Sequence, residues 1–172
     1  MRTFAAVTMA AVMTAASALA QQPEAPKPGP EHEMLKKKEG TWTTVMKSGG
    51  AEFKGTVTYK MELGGLWLVG SQESDLGGQK FHGKSLDSYD AASKKFVGVW
   101  ADSMGTRPMT LEGTYDEAKK TLTLTADAPG LDGKPTKWKS VSVMTDADTF
   151  DMRMYVGDGK EPMFTVAYKR KK

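Results

Sequence analysis

Few residues in this chain could carry chemistry. Across 172 residues there is no Cys and there are two His, which excludes a disulfide framework, a thiol nucleophile, a thiolate metal site and a lipid-anchored cysteine. His32 stands between Glu31 and Glu33, without the i, i+3 or i+4 spacing that would set ligands on one helix face, and reads as a capping residue. Met152-Arg153-Met154 places two thioethers on one strand face, and with His82 these could capture Cu(I), although methionines at such positions more simply fill a core. Ser and Asp are plentiful, yet no His-based triad spacing, nucleophile elbow or Gly-rich phosphate loop occurs, and Asp87 and Asp90 read as turn acids. The chain therefore reads as a non-enzyme with no metal and no cofactor.

What remains is recognition chemistry. Beyond the N-terminal segment, Arg occurs at Arg107, Arg153 and Arg170 alone. Arg107 shares the alternation phase of Met109 and Leu111, and an inward guanidinium requires an anion. Asp102, in phase with Trp100, could supply it internally, or a ligand carboxylate could. His82 has an ambiguous phase, because Lys84 shares it.

The elements that must position these residues begin after a targeting segment. Arg2 precedes an apolar run from Phe4 to Leu19, and Ala18-Leu19-Ala20 forms the small-x-small pattern of a cleavage site, so residues 1–20 read as a signal peptide and the protein as exported, periplasmic or secreted. Thr8, Thr14 and Ser17 interrupt the run, and no later segment could span a bilayer as a helix. The mature chain is about one-third apolar, which suits a sheet with one wet and one dry face. Its charges alternate in sign, and nothing calls for nucleic acid. Residues 21–29 carry Pro23, Pro26 and Pro28 in a polar, extended leader, and residues 30–172 form one domain. A short helix opens at Pro30 and runs to Glu39, with acids in its first turn, Lys36 to Lys38 at its end and Gly40 as its stop.

From Thr41 the hydrophobic period becomes two. Ten strands are predicted, at 41–48, 53–63, 66–75, 79–90, 94–102, 107–116, 119–127, 135–146, 149–157 and 161–170. Every connection is short and turn-like, which forbids parallel crossovers. Ten sequential antiparallel strands close most simply into an up-and-down barrel, which removes both edges; a two-sheet sandwich is the alternative.

Gly40-Thr41-Trp42, between helix and first strand, resembles the Gly-x-Trp opening of the calycin barrels: lipocalins, fatty-acid-binding proteins and nitrobindins. Gly29-Pro30-Glu31-His32, Leu63-Gly64-Gly65, Trp100 to Thr106 and Glu112-Gly113-Thr114-Tyr115-Asp116 are similar to recurring words of an uncharacterised bacterial family of unknown function assigned to that superfamily. The resemblance runs from about residue 29 to the C-terminus. It implies a barrel and, by analogy, a bound small molecule. It also implies that Arg170 lies across the Trp42 indole, as a C-terminal Arg does in many lipocalins. Haem, suggested by the nitrobindins, would need a His on a late strand, and this chain has none.

In such a meander the helix shares one end with the turns at 64–65, 91–93, 117–118 and 147. The Gly-rich connections, including the long loop 128–134, gather at the other end and form a mouth. By phase the lining is Trp42, Met46, Tyr59, Met61, Trp100, Met109, Leu111, Leu122, Leu124, Met152, Met154, Phe164, Val166 and Tyr168. With no Ile in the chain, Met supplies the soft apolar filling. The expected function is binding of a small apolar or amphipathic molecule, with Tyr59, Met61, His82, Trp100, Asp102, Arg107, Met109, Met152, Met154 and Tyr168 at the cavity or its mouth, and Gly40, Trp42 and Arg170 as structural residues. A packed barrel acting as a structural or interaction module, and Met/His copper capture, are the alternatives.

Overall fold

A computed structural model describes residues 24–130 and 132–172. The signal-peptide reading, residues 21–23 of the leader and Leu131 lie outside the described residues. Helix α1 (Pro30–Lys36) precedes ten strands: β1 (Gly40–Ser48), β2 (Ala51–Glu62), β3 (Trp67–Asp75), β4 (Lys80–Asp90), β5 (Lys95–Asp102), β6 (Met109–Asp116), β7 (Thr121–Pro129), β8 (Pro135–Met144), β9 (Thr149–Val156) and β10 (Phe164–Arg170). Each strand pairs antiparallel with the next, and β1 pairs with β10, so the sheet closes into a barrel.

Residues directly opposite in an antiparallel ladder point to the same face, so the register fixes the lumen. Trp42 opposes Val57 on one side and Arg170 on the other. Tyr59 opposes Gly70, Gly70 opposes Ser85, and Ser85 opposes Trp100. Trp100 opposes Met109, and further round Met152 lies between Ser142 and Val166. All fourteen lining positions read from the alternation fall on this inner face.

The inner face is packed at the helix end. Met34 and Leu35 of α1 meet Leu68, Phe96, Leu122 and Leu124, while Trp42, Val57, Phe150, Val166 and Tyr168 form an adjoining cluster. Leu35, Trp42 and Leu68 are essentially without accessible surface. Each such side chain contributes about 1.5–3 kcal/mol by its removal from water, so the helix is held by packing rather than by its seven residues' own propensity.

The helix stops at Lys36, three residues short of the expected Glu39. Lys37, Lys38 and Glu39 form tight turns that donate to the carbonyls of Met34, Leu35 and Lys36. The carbonyls of Lys37 and Glu39 are taken instead by the Arg170 guanidinium, at 2.9 and 2.6 Å. Arg170 also donates to Ala147 O at 3.1 Å, sits 3.2 Å from Asp148 and lies 4.1 Å from the Trp42 ring centroid. Trp42 Nε1 donates to Lys38 O at 2.8 Å. Gly40 is required here for two reasons: its φ of 122° lies where side chains are strained, and a Cβ would stand 2.7 Å from Arg170 Nη1.

One strand boundary changes a site reading. The sixth strand starts at Met109 and not at 107, because Pro108 has no N–H to give to a ladder. Arg107 is consequently a loop residue, and the alternation phase that turned it inward does not reach it.

Candidate functional site

Above the packed helix end, the floor of the lumen is polar. Asp87 points inward from β4, between Leu68 on β3 and Gly98 on β5. Gly98 leaves room for it, since a Cβ there would stand 2.8 Å from Asp87 Oδ1. Opposite, Lys38 enters from the turn after α1 and holds its ammonium 5.0 Å from the Phe150 ring centroid. Phe150 stacks on Tyr168 at 4.0 Å and 11°. Tyr59 packs against the cluster that holds Tyr168, and both lie within the field of Asp87. Lys38, Phe150, Tyr168, Tyr59 and Asp87 thus form a girdle around the floor.

Burial governs the protonation of this girdle. It pushes the Asp87 carboxyl up from the usual carboxylate range, against the opposing pull of the Lys38 charge and the Ser85 hydroxyl. It pushes the Lys38 ammonium down, with Asp87 partly offsetting the fall. Burial likewise raises both phenols. Lys38 and Asp87 attract one another without reaching ion-pair contact within 4.0 Å. Lys38, Tyr59 and Asp87 are deep in the molecule, yet each retains accessible surface. A small cleft of about 20 Å³ beside Lys38, bordered by Lys37, Tyr115, Lys120, Leu122, Met144 and Phe150, has room for about one water.

Toward the mouth the inner wall is aromatic and sulfur-rich. Trp100 packs parallel to Phe81, with centroids 6.4 Å apart and planes at 20°, and its Nε1 donates to Asp102 at 2.7 Å. Met109, Met152 and Met154 face the same interior and are half-buried, as is Trp100, while Met61 faces it from the helix end. Among the described residues three buried polar side-chain atoms lack partners: His32 Nε2 on α1 and, on the barrel wall, Trp138 Nε1 and the Ser85 hydroxyl, the last beside Asp87 but outside good hydrogen-bond geometry. A buried polar group without a partner costs about 1–3 kcal/mol, so each is a place where an acceptor would be favourable.

Two expected site residues are not in the lumen. His82 is exposed on the outer face of β4, opposite Glu73. The inward series of that strand is Phe81, Gly83, Ser85, Asp87 and Tyr89, so Lys84 and His82 share the wet side. His82 therefore cannot join Met152 and Met154, which face inward, in a copper site. Arg107 is exposed in the mouth loop, and Asp102 is satisfied by Trp100 Nε1 and by Met104 N at 2.9 Å rather than by a guanidinium. Among the described residues no group of three or more His, Asp or Glu side chains could hold a metal ion.

With this geometry in place, the chain can be set beside known proteins. A family model for proteins of unknown function, DUF1579, matches residues 27–170. The chain belongs to the DUF1579 family. No curated protein matches it. Among solved structures, the crystal structure of Rv2717c from M. tuberculosis is similar at a TM-score of 0.59 and 15% identity, covering 84% of this chain and 99% of that one. A redesigned β-barrel aligns at a TM-score of 0.46 and 13% identity, over 81% and 96% of the two chains. The first likeness supports the fold alone.

In this DUF1579 chain a further concavity lies on the outer wall. The β6–β7 ladder ends at the Glu112–Thr125 pair, leaving Met109 to Leu111 and Ala126 to Pro129 unpaired toward one another. A groove of about 540 Å³ covers that seam, with Trp67, Val97 and Val99 on one side and Thr125, Asp127 and Lys137 on the other. None of the residues read from the sequence as ligand-binding lines it. Sequence reasoning also passed over Lys38, Asp87, Ser85 and Trp138. A usable signal existed for two of them, because Phe81, Ser85, Asp87 and Tyr89 keep one period-two phase with two aromatic residues in it.

Proposed function

We propose that this DUF1579 protein is an exported, non-catalytic β-barrel that binds a small apolar or amphipathic molecule in its lumen. The observation that supports this most is the contrast in packing along the inner face. Leu35, Trp42 and Leu68 at the helix end have almost no accessible surface, whereas Trp100, Met109, Met152 and Met154, nearer the mouth, point toward the same axis and keep some. A barrel filled solid would bury both sets alike. Apolar walls with a few aimed polar groups are the composition of small-molecule sites.

Native mass spectrometry of the protein purified from its own cells tests the reading. A retained organic mass, released on unfolding, is the expected result. A clean apo mass, together with no fluorescence enhancement of the neutral probe N-phenyl-1-naphthylamine, refutes it and favours the packed interaction module. Sequencing of the mature N-terminus checks export: it is expected to begin at Gln21, and a retained Met1 would overturn that part.

A further inference from the structure

The lumen floor says what kind of head group a ligand would carry. Lys38 and Asp87 are its two charged groups, on opposite sides, and they are not in ion-pair contact. Neither charge is neutralised at contact distance, yet together they cancel. Low-dielectric surroundings penalise net charge steeply, so an ionised head placed between them would leave one charge uncompensated. A neutral head with one acceptor and one donor avoids this cost. Its acceptor would take a hydrogen bond from the Lys38 ammonium, and its donor would give one to the Asp87 carboxylate. Transfer of a proton from Lys38 to Asp87 would also leave the floor uncharged, so the preference does not depend on where that proton rests.

Two further features fit the same reading. The Lys38 ammonium lies over the Phe150 ring, so it is held by a ring face rather than by an anion, and remains free to donate. Gly98 keeps the wall thin behind Asp87, and a Cβ there would crowd Oδ1. Resting on the proposed lumen binding, we infer that the ligand is an uncharged amphipath, its apolar chain among Met152, Met154 and Trp100 and its head a carboxamide or hydroxyl bridging Lys38 and Asp87.

Displacement of N-phenyl-1-naphthylamine by decanamide, decanoate and decylamine tests this on the full mature protein. Decanamide is expected to compete about tenfold better than either ion. Lys38→Met should shift the preference toward decylamine, which the remaining carboxylate can pair, and Asp87→Asn should shift it toward decanoate, each by about tenfold relative to decanamide. The double variant should lose head discrimination while still binding the fluorophore. If Lys38→Met fails to fold, Asp87→Asn alone decides. Equal competition by all three amphipaths, or the same preference in every variant, overturns the head-group assignment and leaves lumen binding standing. Absence of fluorophore binding to the unaltered protein overturns lumen binding itself.

Discussion

The Arg170 clamp offers the most quantitative test of the barrel's closed end. The substitution Arg170→Met keeps the length of the side chain and removes its charge and donors. Lost with them are three hydrogen bonds to the carbonyls of Lys37, Glu39 and Ala147, the contact at 4.1 Å with Trp42 and the pair with Asp148. The guanidinium is a quarter exposed and Asp148 about half, so the ion pair contributes well under 1 kcal/mol. The cation–π contact adds about 1 kcal/mol, and three partly solvated bonds about 0.5–1 kcal/mol each. The expected loss is about 3 kcal/mol, or a fall of roughly 6–12 °C in Tm for a domain of this size. Urea unfolding followed by tryptophan fluorescence should show a lower midpoint at unchanged slope. Arg170→Lys keeps the charge but cannot span three carbonyls, and should lose about half as much. A double-mutant cycle with Trp42→Phe should give a coupling of about 1 kcal/mol. A loss below about 0.5 kcal/mol for Arg170→Met would show that the tail merely rests on the barrel and does not close it.

Three shorter predictions accompany it. Gly40→Ala should cost about 2 kcal/mol in urea unfolding, more than Gly77→Ala, because only Gly40 combines a positive φ with a clash against Arg170; equal costs would count against the clash. Asp87→Asn should change the pH dependence of stability in a defined direction. Because its folded carboxyl titrates above the ordinary range, the folded state binds the extra proton, and Asp87 lowers stability as pH rises through that window. The stability of the variant minus that of the parent should therefore rise from about pH 4 toward the raised value, and a flat difference would contradict the burial of the carboxylate. Arg107→Ala and Arg153→Ala, both on exposed residues, should each change stability by less than about 0.5 kcal/mol and leave decanoate competition unaltered; a selective effect of Arg107 would restore it to the site.

Much of the architecture was legible because period two is a local property. Thr121 to Thr125 alternates Leu with Thr, and in the barrel Leu122 and Leu124 are buried while Thr125 is exposed. Short Gly-containing links forced neighbours to pair antiparallel, which set the strand order. Local signals misled where two of them competed. Arg107 matched the phase of Met109, but Pro108 between them prevented the ladder from extending that far. Asp87 looked like a turn acid beside Asp90; only its place on β4, facing Gly98 across the ladder, marks it as a lumen group.

The sequence by itself determined the ten-strand antiparallel plan, the side of each strand that is dry, and the scarcity of reactive groups. Alternation, turn chemistry and composition all act within a few residues, so they need no knowledge of the rest of the chain. Tertiary structure alone decided that Lys38, Phe150, Tyr168, Tyr59 and Asp87 share one floor. These residues come from the segment after α1 and from β9, β10, β2 and β4, and no pattern of spacing records their proximity. Closure between β1 and β10 brings them together, and burial then moves the protonation of the two charged members away from its ordinary values.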